Sequence, residues 1–202
     1  MKDSNFLPSS ILGIGDFRRT YDNYPQITWP RGLKGYYLGT MGYHLHMLLH
    51  HVSDHVRHDY MEMMLHHIVT LFLYGFSFMM NMTLAGAVVM YLHDIADVFT
   101  QFVRCWCETT FTTMTLLNAL GMTASWFYTR LLVLPYIIYL HFSVGDIYHG
   151  KNFITLKFLT AHLCILFVLH LFWFGRMLKV ISKFVMGGGQ IQEESDNTKK
   201  QN

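Results

Sequence analysis

Five ionisable side chains stand within two long apolar stretches of the chain. The first stretch contains His66 and His67, and the second contains His93, Asp94 and Asp97. An ionisable group at the centre of a membrane span costs roughly 2.5–3.5 kcal/mol on insertion scales, so such groups point to functional sites. A carboxylate fixes the tautomer of a neighbouring imidazole and makes it a stronger general base or nucleophile. The five residues are therefore predicted to form a catalytic site.

The spacing of these residues places them on shared helix faces. Glu62 and His66 are four residues apart, as are His93 and Asp97, and this spacing is about one turn of a helix. Because only a short link separates the two stretches, they are predicted to form antiparallel neighbouring helices whose polar residues meet at the interface. The same residues could instead hydrogen-bond one another only to hold the helices together.

The elements that carry these residues are predicted to be membrane spans. The 202-residue chain is 52% hydrophobic and only 14% charged, whereas about a quarter of an average soluble domain is charged. We expect an all-α, polytopic transmembrane domain at residues 35–182, between a polar N-terminal segment (1–34) and a polar tail (183–202). Apolar runs of about 20 residues predict six spans, near 35–53, 60–80, 84–104, 109–125, 127–147 and 155–181.

Basic residues indicate the orientation of this bundle. They cluster before the first span and around the end of the last, so both termini are predicted to face the cytosol, which requires an even number of spans. The final residues, Lys199-Lys200-Gln201-Asn202, have the form of a dilysine signal for the endoplasmic reticulum, although a Lys-rich solvated tail is an equally good interpretation. A net charge of +2, concentrated at the two ends, does not predict nucleic-acid binding.

The stretch from Asp54 to Arg104 resembles the Lag1 motif of ceramide synthases. The core of that motif is D-x-x-R-x-D-[FY], then HH-x-x-T, a serine followed by an aromatic residue, G, and HD-x-x-D. The resemblance extends over about residues 24–180, the core of the TLC domain, and Leu84 and Gln101 stand where the family usually has Arg and Glu. The matching motif residues are Asp54, Arg57, Asp59, Tyr60, His66, His67, Thr70, Ser77, Phe78, Gly86, His93, Asp94 and Asp97.

The resemblance implies an N-acyltransferase that joins the acyl group of acyl-CoA to a long-chain sphingoid base. It implies that His66 attacks the thioester to give an acyl-imidazole, that Asp94 and Asp97 tune this histidine, and that His67 and His93 support geometry and proton transfer. It also implies about six helices around a central lipid or acyl cavity in the endoplasmic reticulum membrane. Acyl-CoA is then a co-substrate, no bound cofactor or metal is expected, and membrane lipids and a homo-oligomer or larger membrane complex are the expected partners. Supporting or substrate-binding roles are expected for Arg57, Asp59, Glu62, Ser77 and Arg130.

A membrane di-iron hydroxylase or desaturase is one alternative. His46, His50 and His51, with His55 and His58 after them, resemble one histidine box. Such enzymes need several boxes along the chain, whereas the later histidines stand singly, so the histidines from 44 to 58 are interpreted as interfacial residues at a helix end. The single histidines are His141, His149, His162 and His170.

The other alternative is an inert TLC-type subunit that has a structural or lipid-holding role in a larger membrane complex. The chain begins almost at the core of the domain, and Leu84 and Gln101 depart from the usual pattern. Such a subunit would fit another address, including a complex of the mitochondrial inner membrane.

Overall fold

The computed structural model describes residue 20 and residues 31–54, 59–107, 111–147 and 153–187. Helices account for nearly all of these residues, none of which lies in a strand, so the predicted all-α class is confirmed for this part of the chain. Most of the predicted segments 1–34 and 183–202 lies outside the described residues. The elements are α1 (Leu33–Ser53), α2 (Tyr60–Met79), α3 (Thr83–Cys107), α4 (Thr112–Trp126), a π-helical segment (Phe127–Val133), α5 (Leu134–Ile147) and α6 (Phe153–Gly187).

The π-helical segment joins α4 and α5 into one uninterrupted rod. Phe127 and Leu134 keep right-handed helical dihedral angles at the two junctions. Six separate spans are therefore not confirmed, because the predicted spans 109–125 and 127–147 form a single rod and the described chain has five rods. Neither glycine nor proline stands between Gly121 and Pro135 to end the helix. Pro135 cannot donate a backbone hydrogen bond, and the wider π-helical turn before it lets the helix continue.

The main apolar core lies where α2, α3, α5 and α6 meet. A smaller cluster around Tyr37 and Met90 joins α1 to α2 and α3. Within α6, the segment Leu156–Lys183 is the described helix that is long and apolar enough to cross a membrane by length and composition. The main core includes Val69, Leu73, Val88, Leu92, Leu134, Ile137, Leu159, Leu163 and Leu166.

A short link reverses the chain between α2 and α3. Asn81 adopts a left-handed conformation there (φ 57°), which asparagine tolerates better than most residues, and the amide of Met82 bonds back to the carbonyl oxygen of Ser77 at 2.8 Å. The two helices are adjacent, as predicted, but α2 packs mainly against α1 and α6, and α3 packs mainly against α4. Of the two histidines of α2, His66 therefore faces α6 and His67 faces α1.

A small cavity lies between α2, α3, α5 and α6. It has a volume of about 20 Å³, and its lining includes Leu73, Ser77, Val89, His141 and Leu163. This volume holds about one water molecule, so the helices around this cavity would have to separate before it could admit an acyl chain.

Candidate functional site

His66 projects from the middle of α2 towards α6. Its ring centroid lies 5.3 Å from Trp173 and 6.1 Å from His170, both of which belong to α6. Its Nδ1 atom is buried and has no hydrogen-bond partner within the described part of the chain. An imidazole nitrogen that no hydrogen bond occupies is free to act as a base or a nucleophile.

His93, from α3, meets His170 from the opposite side. The Nδ1 atom of His93 lies 2.7 Å from the carbonyl oxygen of Val89, and the two Nε2 atoms of His93 and His170 are 3.0 Å apart. Because a carbonyl oxygen only accepts, Nδ1 of His93 must carry a hydrogen, so a neutral His93 accepts at Nε2 and His170 donates. This arrangement leaves Nδ1 of His170 without a hydrogen, and that buried atom has no partner among the described residues.

Two tryptophans enclose the three histidines. Trp126 donates its indole N–H to the carbonyl oxygen of His170 at 3.3 Å, and its ring centroid lies 5.4 Å from the imidazole of His170. The ring of Trp173 lies 6.3 Å from that of Trp126. Large apolar rings on this side limit the access of water, and electrostatic interactions are stronger where water is excluded.

Arg130 brings a buried positive charge to the same region. It lies in the π-helical segment, its side chain is 4% exposed, and it forms an ion pair with Asp97, whose side chain is 50% exposed. It also donates a hydrogen bond of 3.2 Å to the carbonyl oxygen of His93, and its guanidinium carbon lies 3.8 Å from the ring centroid of Trp126. Asp97 is therefore bonded to Arg130, which in turn is bonded to the backbone of His93.

The other aspartate of the HD-x-x-D motif is bound to α1. Asp94 accepts a hydrogen bond of 2.7 Å from the hydroxyl of Tyr36. No carboxylate among the described residues is bonded to His66, and Glu62, one turn away, is half-buried. The expected direct contact between a carboxylate and His66 is therefore absent from the described chain.

The remaining predicted residues lie around this site. His67 is buried and its ring centroid is 5.5 Å from that of His51. Ser77 is hydrogen-bonded to the hydroxyl of Tyr37 at 2.6 Å, so it joins α1 to α2. Asp59 stands immediately before α2 and makes no side-chain capping bond. Arg57 lies outside the described residues.

Comparison with known proteins decides the family. The family model of the TLC domain matches residues 5–179, which is most of the chain. The chain belongs to the TLC-domain family. It is therefore a membrane protein, and the motif residues His66 and His93 of its TLC domain are the ones that the structure brings to either side of His170.

This TLC-domain protein is similar to several ceramide synthases. It is 31% identical over 181 residues to ceramide synthase 4 of Bos taurus, a match that covers 84% of this chain and 43% of the relative. It is 31% identical over 183 residues to ceramide synthase 4 of Mus musculus, covering 86% and 44%, and 25% identical over 197 residues to ceramide synthase hyl-1 of Caenorhabditis elegans, covering 90% and 53%. The chain spans about half the length of these relatives. No solved structure matches it.

The residue that sequence reasoning missed in this TLC domain is His170. It is fully buried at the centre of the site, not isolated as its position in the sequence suggested. The available signal was an ionisable residue inside the most apolar span, three positions before Trp173.

Only some of the histidines of α1 are exposed, as the predicted interfacial residues would be. His44 is half-buried and its Nε2 atom lies 3.1 Å from the hydroxyl of Tyr74, and His51 packs on His67, whereas His46 and His50 are exposed, as interfacial residues would be. The described members of the histidine box, His46, His50 and His51, therefore do not converge, and His55 and His58 lie outside the described residues. Among the described residues, no group of three or more His, Cys, Asp or Glu is arranged to hold a metal ion.

Proposed function

We propose that this protein is a sphingoid-base N-acyltransferase of the ceramide synthase type, acting on acyl-CoA and a long-chain base in the endoplasmic reticulum membrane. The observation that carries the proposal is the buried group of His66, His170 and His93 between Trp126 and Trp173. Two members of this group occupy the HH and HD-x-x-D positions of the Lag1 motif. The similarity to ceramide synthases over most of the chain supports the same activity.

Acyl transfer would proceed in two covalent steps through His66. In the first, a ring nitrogen attacks the thioester carbonyl carbon, the new N–C bond forms, the C–S bond breaks, and the departing CoA sulfur takes up the proton that the other ring nitrogen releases. In the second, the neutral amine of the base attacks the acyl-imidazole, the bond to the imidazole breaks, and the proton that the amine nitrogen loses returns to the imidazole. The thioester is already activated, so neither step calls for a bound cofactor or a metal ion.

The surrounding groups have distinct roles in this proposal. The buried Nδ1 of His66 has no hydrogen bond to break before it reacts. His170 and His93 are hydrogen-bonded to each other and are placed to accept and donate protons beside it. Arg130 supplies a buried positive charge next to His93, and a fixed positive charge favours the negative oxygen of the tetrahedral intermediates.

Trapping the acyl-enzyme tests the proposal. The purified chain is mixed with acyl-CoA alone, and its intact mass is measured before and after sphinganine is added. We expect a mass increase of one acyl group that disappears on addition of sphinganine, with ceramide as the product. His66→Ala should abolish both signals, whereas His46→Ala, which changes an exposed histidine of α1, should preserve them. Product formation by folded His66→Ala protein would reject the acyl-imidazole.

An inert lipid-holding subunit is the second candidate. Leu84 and Gln101 depart from the synthase pattern, which favours a relative without the activity of the enzyme. Purified wild-type protein that retains a stoichiometric lipid and makes no ceramide would favour this second function.

A further inference from the structure

Five histidines from four helices form a continuous row. The row begins at His51 in α1, passes through His67 and His66 in α2 and His170 in α6, and ends at His93 in α3. The successive ring centroids are 5.5, 5.6, 6.1 and 5.0 Å apart. Neighbouring imidazoles at these separations are close enough to exchange a proton directly or through one water molecule.

The two ends of the row are bonded to backbone carbonyls, and each ring between them keeps one nitrogen without a partner in the described chain. Nε2 of His51 lies 3.0 Å from the carbonyl oxygen of Tyr60, and Nδ1 of His93 lies 2.7 Å from that of Val89. Each carbonyl accepts, so these two nitrogens carry hydrogens and fix the tautomers of the neutral end rings. The Nδ1 atoms of the three histidines between them are buried without a hydrogen-bond partner in the described chain.

Three buried nitrogens without hydrogen-bond partners, in successive rings of the row, lower the stability of the fold. Each such atom typically costs about 1–3 kcal/mol, because it gives up its hydrogen bonds to water and gains none in the protein. Native proteins keep few such groups, and those that persist need an explanation. A ring with an unoccupied nitrogen can take up a proton there and release the one on its other nitrogen.

The row also leads from the buried site to one end of the bundle. His93, in α3, lies next to the π-helical segment and α6, and its carbonyl oxygen accepts a hydrogen bond from Arg130. His51 lies in the last turn of α1 and stacks on Tyr60, the first residue of α2, with ring centroids 4.5 Å apart. It is only half-buried there, so this end of the row is reached from outside the bundle.

We propose that the row is a proton relay and that His51 is its exit group. The inference rests on the proposed function: acyl-CoA and the ammonium form of the base give the amide, the CoA thiol and one free proton per turnover. That proton leaves the ammonium group of the base before the neutral amine attacks the acyl-imidazole, inside a site that Trp126 and Trp173 enclose. The proton that the amine loses during the attack instead replaces the one that His66 gave to the CoA sulfur. Successive imidazoles take up the proton of the ammonium group and pass it on, and His51 delivers it to water. His51 contacts no substrate. It is a positioning residue, because it acts on the reaction only through the other histidines of the row.

The test uses purified full-length protein carrying His51→Gln or His51→Ala, with His50→Gln as the matched control. His50 is the exposed neighbour of His51 on the same helix. Glutamine can still donate to the carbonyl oxygen of Tyr60, but it cannot pass on a proton. Formation of the acyl-enzyme and its discharge by sphinganine are measured separately. Both His51 variants should form the acyl-enzyme at the normal rate and discharge it about tenfold more slowly or worse, and added imidazole should restore the discharge.

Each outcome decides the proposal. A normal rate of discharge in His51→Gln would overturn the relay, because it would show that the hydrogen bond to Tyr60 is the whole contribution of His51. Slow discharge that imidazole does not restore would also overturn it in favour of a structural role. Failure of the wild-type protein to form an acyl-enzyme would instead reject the proposed function, and the relay with it. Slow discharge in both variants with rescue by imidazole, and none of this in His50→Gln, supports the relay.

Discussion

His170 and His93 share a hydrogen bond between their Nε2 atoms, at 3.0 Å, although 77 positions separate them in the chain. The bond joins the last helix of the bundle to the helix that carries the HD-x-x-D motif. His170 is fully buried, and on its other side it faces His66. The pair therefore couples the proposed nucleophile to the motif through a residue that the motif does not contain.

Replacing His170 should impair acyl transfer. In His170→Ala, Nε2 of His93 loses its donor and His66 loses a neighbouring imidazole, so we expect the rate of ceramide formation to fall about 100-fold or more, as for loss of a positioned acid or base. His162→Ala is the control, because His162 lies on the same helix and is bonded only to the carbonyl oxygen of Phe158. Turnover by folded His170→Ala protein at the wild-type rate would show that His170 only fills space.

Gly86 should be intolerant of any side chain. A Cβ atom at this position would overlap the hydroxyl oxygen of Tyr37 and lie 3.1 Å from Oγ of Ser77, and Tyr37 is fully buried. Gly86→Ala should therefore lower the free energy of unfolding in detergent by about 1–3 kcal/mol. Adding Tyr37→Phe to Gly86→Ala should recover part of the lost stability, because it removes the hydroxyl that clashes.

Gly75→Ala provides the matched control for this substitution. Gly75 also lies within a helix, but a Cβ atom there would meet nothing within 4 Å. Its replacement should leave stability unchanged or slightly higher, since alanine favours helix more than glycine does. Equal thermal shifts in the Gly75 and Gly86 variants would contradict the close packing of Tyr37 against Gly86.

Local patterns in the sequence were enough to predict most of the helices. Long apolar runs predicted α1, α2, α3 and α6 to within a few residues, and the structure brings His66 and His93 of the motif to either side of His170. The continuous helix through Phe127 could not be predicted from apolar runs, and the predicted break between two spans falls where no helix-ending residue stands. The partners of Asp94 and His66 were missed for a different reason: Tyr36 and His170 come from helices far away in sequence, and periodicity within one helix does not say which helix packs against it.

The number of membrane crossings is a further testable consequence of the fold. Five rods that each cross once place the chain before α1 and the chain after α6 on opposite faces of the membrane, whereas two cytosolic ends require an even count. If every rod crosses once, protease in sealed microsomes should digest one and spare the other of two tags, one placed after residue 202 and one inserted before residue 31. Digestion of both tags would mean that the rods make an even number of crossings.

The ion pair of Arg130 and Asp97 separates the enzyme from an inert relative. Arg130 is the buried partner, so it depends on the carboxylate more than the half-exposed Asp97 depends on it. In Asp97→Asn the side chain still accepts a hydrogen bond, but the charge that balances Arg130 is lost. We expect the protein to be destabilised by about 1–3 kcal/mol, which is less than for complete removal of a buried partner. Asp94→Asn is the control, because the bond from Tyr36 to Asp94 can form to an amide oxygen as well.

The same substitution should act on chemistry only if the site works. With a weaker partner, Arg130 is held less firmly against the carbonyl oxygen of His93 and over the ring of Trp126, and the rate of acyl transfer should fall well beyond the effect of Asp94→Asn. In a protein that already carries Arg130→Met, which removes the cation, Asp97→Asn should have nearly no effect on stability. A destabilised Asp97→Asn protein with no acyl transfer in any variant, wild type included, would identify the pair as a structural bond of an inert subunit. Unchanged stability and unchanged transfer would show that the pair contributes to neither.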